Sequence, residues 1–327
     1  MKIGIISFAQ SANIRTRFIP ENEKLLVEAI KRRGHEPKVF RSSRFEMYYS
    51  NKKNDLFYGG KKMPDVDVMI PRPSITNEVD IQMTLNKHCL LMGIPLLNGY
   101  MPVLRAKNKV RTLQILGHKG IPVPKTVVLS SFKYIDSAVK RVGGYPVIVK
   151  IPVGSLGKGV AIVESRRSLL SSLDIFWASS AGRKSLLIQE YVEEANGCDI
   201  RVFVVGDKII ASMQRTAKEG EFRSNMKLGG KGSLVELTHR EIEMALDATK
   251  ALNLDVAGVD ILRTKHGPVV MEMNANPGLK GIIEVTGVDV AGAIVDAAVA
   301  KVSDGHVDRS HRSLGLNVKV DEPYAVV

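Results

Sequence analysis

The sequence predicts a protein of the α/β (α+β) class, and three observations support this prediction. Strand and helix patterns alternate through the first 120 residues, whereas pairs of apolar strands dominate after residue 185. Hydrophobic residues make up 44% of the 327 residues and charged residues 25%, which is typical of a globular protein. No apolar run approaches the roughly 18 residues of a membrane-spanning helix. We therefore expect a folded chain that does not associate with a membrane.

The first third is predicted to form a parallel sheet covered by helices. The start of the chain is too short for a signal peptide and fits a strand over residues 2–7. Further strands are predicted over residues 37–40, 66–70 and 94–97, and helices over 21–33, 76–92 (N-cap Thr76) and 102–120. Ligands of such sheets gather at the carboxyl ends of the strands. Arg72, just beyond Ile70, is therefore a candidate to bind a carboxylate, with a structural role as the alternative.

The net charge of +13 lies mostly in this first third. Residues 1–120 hold 21 Lys and Arg against 10 Asp and Glu, whereas the remainder holds 26 against 24. The excess suggests an anionic partner, such as nucleotide phosphates, an acidic peptide or nucleic acid. Direct nucleic-acid binding is not expected, because no dense basic run is interleaved with aromatic residues. A solvated basic surface without a partner, including most of the predicted helix 102–120, is the alternative.

Segments in which glycine and proline interrupt the strand and helix patterns predict the domain boundaries. Gly120-Ile-Pro-Val-Pro124 separates a domain over residues 1–120 from a second over 121–190. A third domain is expected over residues 191–302, followed by a flexible tail over 303–327. The two cysteines, Cys89 and Cys198, form no disulfide framework, so a reducing cytoplasm is the expected location.

A phosphate-binding loop is the interpretation of the segment around residue 155. Lys150 ends an apolar strand predicted over residues 145–150, and a lysine at the rim of a buried strand needs an anionic partner. The turn that follows carries Gly157 and Gly159, and glycine lets backbone N–H groups approach phosphates closely. No helix starts after it, so the pattern favours a strand–loop–strand flap over a Walker-type loop. An ordinary hairpin turn is the alternative.

A predicted hairpin near the end of the chain carries a candidate metal site. Its strands cover residues 259–263 and 268–273, and side chains alternate along each strand, so Glu272 and Asn274 point to the same side. If Asp260 pairs beside them, two carboxylates and an amide oxygen converge. That all-oxygen set suits Mg²⁺ or Mn²⁺, with phosphate oxygens completing the shell. Solvent-facing carboxylates at strand ends are the alternative.

A polar segment over residues 214–232 separates this hairpin from an earlier one, predicted over residues 199–213. It is rich in cations, including Arg215 and Arg223, and poor in apolar residues. Such a segment is either a surface loop or a lid that closes over a site. Helices are predicted over residues 238–252 and 289–302.

These motifs together resemble the ATP-grasp carboxylate–amine ligases. The resemblance rests on Lys150, the glycine flap, Gln189-Glu190-Tyr191, and Asp260 with Glu272-Met-Asn-Ala-Asn-Pro-Gly278. More narrowly, Asn196-Gly-Cys-Asp-Ile-Arg201 and Lys218-Glu-Gly-Glu-Phe-Arg-Ser-Asn225 are similar to the RimK-type ligases. The similarity covers about residues 1–302 and is strongest after residue 185. A long loop at residues 11–23 and Lys158 in the flap depart from the pattern, and both could change the choice of acceptor.

The resemblance implies an architecture and a set of site residues. A parallel pre-ATP-grasp domain would precede two α+β subdomains that clasp ATP. The nucleotide would be bound by Lys109, Lys150, Gly157, Gly159, Glu190, Tyr191, Asp199, Arg223, Ser224 and Asn225. Two Mg²⁺ or Mn²⁺ ions would be held by Asp260, Glu272 and Asn274, the transferring phosphoryl group by Arg215 and Arg223, and substrate by Arg72 and Asn276. A homo-oligomer is also expected.

The resemblance also implies a reaction. RimK-type ligases add L-glutamate to the C-terminal glutamate of a small-subunit ribosomal protein, through an acylphosphate formed from ATP. A small molecule or a carrier protein is the alternative acceptor. An inactive nucleotide- or RNA-binding regulator is the alternative from another class. A dehydrogenase is excluded because no Gly-x-Gly-x-x-Gly follows the first strand.

Overall fold

A computed structural model gives the fold of the chain. It describes residues 1–8, 19–51, 54–73, 79–154, 159–179, 185–226 and 229–303, with backbone only for 79–80 and 174–179. The predicted cap Thr76, the flap residues Gly157 and Lys158, and the predicted tail beyond Ser303 lie outside the described residues. No helix within those ranges is long and apolar enough to cross a membrane.

The first third contains the predicted parallel sheet. Its three strands are parallel, in the order β2-β1-β6, and its first helix ends just before Gly34 (φ +75°), as expected. A small antiparallel sheet, β3-β4-β5, was not predicted. The bounds are β1 Lys2–Ser7, α1 Glu21–Arg32, β2 Glu36–Arg41, β3 Phe45–Tyr49, β4 Asn54–Tyr58, β5 Lys61–Lys62, β6 Val68–Arg72 and α2 Val79–Leu91.

Two predictions for this region are wrong. Residues 94–97 form no strand in the structure, and only Leu96 makes a parallel bridge, to Met69. The predicted helix over residues 102–120 is two helices, α3 (Tyr100–Lys107) and α4 (Lys109–His118). Asn108 leaves the helical conformation (φ −112°, ψ 110°), and its side chain accepts hydrogen bonds from the N–H groups of Val110 and Arg111. It therefore ends one helix and caps the next.

The middle of the chain forms a four-stranded antiparallel sheet in the order β7-β10-β8-β9. Its strands are β7 Thr126–Leu129, β8 Val147–Lys150, β9 Val160–Val163 and β10 Leu186–Glu190. Two helices that were not predicted, α5 (Ile135–Val142) and α6 (Arg166–Ser179), belong to this region, and Leu169 of α6 is buried in its core. Among the residues that the structure describes, none of the first 120 belongs to this core.

The last third is a five-stranded antiparallel sheet in the order β13-β12-β11-β14-β15. Both predicted hairpins are present. Strand β12 runs on to Thr216 and β13 begins at Lys231, so the polar segment predicted over residues 214–232 is strand, not loop, at both of its ends. The elements are β11 Cys198–Val205, β12 Lys208–Thr216, β13 Lys231–Leu234, α7 His239–Leu252, β14 Val256–Thr264, β15 Gly267–Asn274, α8 Lys280–Thr286 and α9 Val290–Ser303. Helix α7 begins with a capping box formed by Thr238 and Glu241.

The first and last thirds share one hydrophobic core. Ile5 of β1 and Ile30 of α1 belong to the same buried cluster as Phe203 of β11 and Ile294 of α9. Ion pairs from Arg33 to Asp289 and Asp296 join the same two helices, α1 and α9, at the surface. At the carboxyl edge of the parallel sheet, Arg72 donates a hydrogen bond to the carbonyl of Pro277, which follows the strand that carries two of the candidate metal residues. The predicted α/β (α+β) class is confirmed.

Candidate functional site

The candidate metal residues lie on neighbouring strands of the last sheet. Asp260 on β14 pairs directly with Glu272 on β15, and Gly258 pairs with Asn274. The register shifts immediately after Asp260, which marks a β-bulge of the kind that redirects side chains near sites. The sheet therefore brings together the two carboxylates and the amide that the sequence singled out.

Asp260 is buried and held by two arginines. Arg201 donates from Nε and Nη2 to its two carboxylate oxygens, and Arg215 Nη2 lies 3.0 Å from Asp260 Oδ2. Burial raises the pKa of Asp260, but the two guanidinium groups outweigh burial, so its pKa lies below the usual value. Asp260 is consequently an anion whose charge is matched by arginines.

Arg215 links this carboxylate to a second one. Its Nε and Nη2 donate to Asp199 Oδ1 and Oδ2 at 2.6 and 2.7 Å, and Ser224 Oγ donates to Asp199 Oδ2. Burial opposes the charge on Arg215, yet Asp260 and Asp199 together raise the pKa of its guanidinium. The predicted phosphoryl clamp is thus held in a fixed orientation between two carboxylates.

Glu272 and Asn274 complete this side of the site. Lys109 Nζ, at the start of α4, lies 2.9 Å from Glu272 Oε1. Asn274 Nδ2 donates to Asp260 Oδ2 at 3.4 Å. The structure therefore places Lys109, predicted to contact phosphate, against one of the predicted metal ligands. It also shows that Lys109 and the buried Lys107 are not part of a solvated face.

Lys150 lies on the other side of the site, in the middle sheet. It is the last residue of β8, its side chain is buried, and Nζ donates to Gln189 Oε1 on β10 at 2.6 Å. Burial lowers the pKa of this ammonium group to about 8, while the nearby charge of Glu272 opposes that change. A neutral amide does not balance a buried positive charge, so Lys150 suits an anionic ligand.

A cleft lies between these two sides. Leu116 of α4, Leu187 of β10 and Met273 of β15 line its apolar wall, and Lys109, Lys150 and Glu272 line its polar end. Glu190, the last residue of β10, accepts a hydrogen bond from the backbone N–H of Lys125 at 2.8 Å. The half-buried Tyr191 follows it. The cleft is therefore a narrow apolar slot with charged groups at one end.

Of the two flap glycines predicted to contact phosphate, Gly157 and Gly159, the structure describes Gly159. Gly159 has φ +72°, and its carbonyl accepts a hydrogen bond from the N–H of Ile151 at 3.0 Å. A Cβ at Gly159 would collide with the Ile151 side chain. Glycine is therefore required here for both conformation and space.

The predicted lid residues divide into two groups. Ser224 contacts Asp199, as described above. Arg223 instead binds Glu221 within the lid, at 2.6 Å from Nη2 to Oε2 and 3.0 Å from Nε to Oε1. The hydrogen bonds from Arg223 are the main reason that the pKa of Glu221 falls to about 2. Asn225 lies beside these residues in the chain and is half-buried.

The family of the chain follows from its similarity to known proteins. The family model described as "RimK-like ATP-grasp domain" matches residues 106–298, and "RimK PreATP-grasp domain" matches residues 1–100. The chain belongs to the RimK-like ATP-grasp family. It is an ATP-dependent ligase, as the motifs predicted.

Curated relatives of this ATP-grasp ligase cover most of its length. "Probable alpha-L-glutamate ligase 2" of Shewanella sp. (strain MR-4) is 41% identical over 273 residues, which are 84% of this chain and 90% of that protein. "Probable alpha-L-glutamate ligase" of Aliivibrio fischeri (strain MJ11) is 40% identical over 297 residues, 90% of this chain and 94% of that protein.

Solved structures of low sequence identity share the ATP-grasp fold. A RimK domain protein from Sphaerobacter thermophilus has a TM-score of 0.70 at 22% identity, covering 91% of this chain and 100% of that one. The ligase PsnB, complexed with the precursor peptide PsnA2 and AMPPNP, has a TM-score of 0.66 at 20% identity, covering 92% and 98%. D-alanine–D-alanine ligase from Bacillus anthracis, complexed with ATP, has a TM-score of 0.64 at 18% identity, covering 96% and 100%.

The donor set at the ATP-grasp site fits Mg²⁺. No group of three His, Cys, Asp or Glu side chains that could hold a metal ion occurs within the described ranges. An ion at this site would therefore depend on Asp260, Glu272 and Asn274 together with substrate oxygens. Mg²⁺ is commonly bound in this way, by one or two carboxylates with phosphate oxygens.

Two site residues had no assigned role at the level of the sequence. Arg201 pairs with Asp260 across β11 and β14, and the Gln189 side chain on β10 accepts a hydrogen bond from Lys150 on β8. Both were present in the recognised motifs. Only the register between strands shows what each one contacts.

Proposed function

We propose that this ligase joins L-glutamate, through its α-amino group, to a carboxylate at the C-terminus of a protein or peptide, with ATP converted to ADP and phosphate. The observation that carries the proposal is that Glu272, the cross-strand partner of Asp260, lines one cleft together with Lys109 and Lys150. This arrangement places candidate metal ligands and candidate phosphate ligands together. The names of the curated relatives, which are alpha-L-glutamate ligases, support glutamate as the amino acid.

In this proposal each end of the cleft has its own task. The adenine would lie in the apolar slot beside Glu190 and Tyr191. Lys150 would bind a phosphate, because the hydrogen-bond partner given for its buried ammonium group among the described residues is the neutral side chain of Gln189. Asp260, Glu272 and Asn274 would hold two Mg²⁺ or Mn²⁺ ions, which neutralise charge on the transferring phosphoryl group.

The reaction needs an activated acid. A carboxylate at neutral pH is a poor electrophile, so the γ-phosphoryl group would first be transferred to the acceptor carboxylate, forming an acylphosphate. Arg215 would stabilise charge on this group, and its fixed position between Asp199 and Asp260 means that little reorganisation is needed. The lid that contains Arg223, Ser224 and Asn225 would then exclude water, which otherwise hydrolyses acylphosphates.

A peptide acceptor has support from two directions. The structural neighbour PsnB is complexed with a precursor peptide, and the first third of this chain carries the excess positive charge that an acidic C-terminus would meet. A ribosomal protein as acceptor, a homo-oligomeric state and a cytoplasmic location remain predictions from the sequence. An inactive regulator is the weaker proposal, because all three candidate metal ligands are present.

Acceptor-dependent release of ADP tests the proposal. We would incubate the protein with MgATP, L-glutamate and a panel of peptides that end in glutamate, and use mass spectrometry to detect a mass gain of one or more glutamate residues. The same peptides with an amidated C-terminus, and the Glu272→Gln variant, are the controls. ADP release that is equal with free and amidated peptides would contradict the proposal.

A further inference from the structure

A second polar cluster lies beside the nucleotide cleft, where the parallel sheet meets the last sheet. Ser7 and Arg72 end the adjacent strands β1 and β6 and are directly paired in register. Glu23, in the first turn of α1, is hydrogen-bonded to the Ser7 side chain and lies within the electrostatic reach of Arg72. All three side chains are more than nine-tenths buried, with 6%, 8% and 4% of Ser7, Arg72 and Glu23 exposed.

The loop after β15 closes this cluster. Asn276 Nδ2 donates to the carbonyl of Pro73 at 3.0 Å, and Arg72 Nη2 donates to the carbonyl of Pro277 at 2.9 Å. Asn22, next to Glu23, accepts from the N–H groups of Leu279 and Lys280. Asn276 stands two residues after the candidate metal ligand Asn274. The cluster therefore adjoins the metal end of the cleft.

Two buried oxygens in this cluster have no hydrogen-bond partner in the described structure. They are Glu23 Oε2 and Asn276 Oδ1. A buried acceptor without a partner is costly, and most such atoms in proteins are satisfied. Asn276 Oδ1 is an acceptor, and Glu23 Oε2 is one when its carboxyl group is ionised. In that state the missing partner is a donor and preferably a cation, and a phosphate is disfavoured as the ligand of these two oxygens.

The neighbouring guanidinium group of Arg72 favours a ligand that also carries a negative charge. Arg72 is a donor that suits a carboxylate. A ligand that offers an ammonium group and a carboxylate a short distance apart is an α-amino acid in its zwitterionic form. We propose that Ser7, Glu23, Arg72 and Asn276 form the site of the incoming amino acid, in which Glu23 accepts a proton from its α-ammonium group. This inference rests on the proposed function, because it supplies the amine for that reaction.

The proton transfer makes the amine reactive. An α-ammonium group has no lone pair, so one proton must leave before attack. Glu23 would take this proton and become a neutral carboxylic acid, and burial, which raises the pKa of Glu23, favours that form. The neutral nitrogen then forms the C–N bond at the acyl carbon. The C–O bond to phosphate breaks, and the phosphate leaves with the bonding electrons and takes the second proton.

Substrate analogues separate this role from a structural one. Glu23→Gln keeps the shape but removes the base, and Glu21→Gln, on the exposed side of the same helix turn, is the matched control. With L-glutamate, we expect Glu23→Gln to lower kcat/KM about 100-fold or more, with the KM for ATP unchanged. With hydroxylamine, which is already neutral at pH 7.5, hydroxamate formation should stay within about twofold of the unaltered protein. Equal losses with both amines, or equal activities of the two variants, would overturn the proposal.

A binding measurement keeps the inference independent of turnover. Calorimetry would compare L-glutamate with glutarate, which lacks only the amino group. We expect the unaltered protein to bind glutamate roughly 10- to 100-fold more tightly than glutarate, and Glu23→Gln to lose that preference. If the protein shows this preference but forms no amide, the proposed function fails and the amino-acid site stands. If no preference exists while ligation proceeds, the site is wrong and the function stands.

Discussion

The two sides of the site differ in how their buried charges are balanced. Asp260, on the last sheet, has hydrogen bonds or ion pairs to Arg201 and Arg215, whereas Lys150, on the middle sheet, donates its hydrogen bond to the neutral Gln189. A buried ion that already has partners contributes to the fold, and removing it leaves those partners uncompensated. A buried ion with a neutral partner is poised for a ligand. The Asp260 side should therefore be more important for stability, and the Lys150 side for nucleotide affinity.

Substitution of Asp260 should have the largest effect. Asp260→Asn leaves Arg201 without its buried counter-ion, so we expect the free energy of unfolding to fall by about 3–5 kcal/mol and ligation to be lost. Urea unfolding measures the free energy of unfolding, and ADP release measures ligation. Asp296→Asn, which removes an exposed partner of Arg33, should cost less than about 1 kcal/mol. Similar losses in the two variants would show that the buried network does not stabilise the fold.

Substitution of Lys150 should show the opposite pattern. Lys150→Met removes one hydrogen bond to Gln189 but also a charge whose pKa burial lowers to about 8, so the protein should lose no stability at pH 7 and should gain some. Loss of a charge-assisted bond to phosphate should weaken ATP binding roughly 10- to 100-fold. Calorimetry with ATP and thermal unfolding measure the two quantities on the same sample. A large loss of stability with unchanged ATP affinity would reverse the comparison.

The pH dependence should separate the same two roles. Burial lowers the pKa of Lys150 from 10.5 to about 8. The Lys150 ammonium group keeps its proton up to about pH 10.5 in the unfolded chain but only up to about pH 8 in the folded protein, so the buried charge destabilises the fold below pH 8. The free energy of unfolding should therefore rise between pH 8 and 10.5, relative to that of Lys150→Met. ATP affinity should fall over the same range, because the neutral amine attracts phosphate less. Parallel pH profiles for the two proteins would contradict this assignment.

The smallest effect on nucleotide binding is expected at the flap. Gly159→Ala adds a methyl group that collides with Ile151 and strains a backbone at φ +72°. We expect unfolding to change by roughly 1–2 kcal/mol and the KM for ATP to rise several-fold. Gly120→Ala is the matched control, because Gly120 has φ +69° but no atom within 4 Å of the added Cβ. A KM that rises equally in both variants would show that flap packing is unimportant.

Much of the fold was predictable because the signals were local. Alternating apolar patterns located the strands of β11, β12, β14 and β15, and Gly34 marked the end of α1. The failures have physical causes. An apolar run over residues 94–97 resembles a strand, yet only Leu96 finds a partner, and a helical run was divided because the Asn108 side chain caps the following N–H groups. Helices α5, α6 and α8 and the β3-β4-β5 sheet were not predicted.

For the candidate site, the sequence by itself determined which residue types are present: the carboxylates, the lysine at the end of an apolar strand, and the glycine flap. It also indicated that Glu272 and Asn274 share a face, since alternation along a strand is a local rule, whereas the position of Asp260 beside them depended on the register of the hairpin. Only the tertiary structure decided the partners. Arg201 is 59 residues from Asp260, and Glu23 is 49 residues from Arg72. Contacts at such separations depend on strand register and on the core shared by the first and last thirds, which no local pattern specifies.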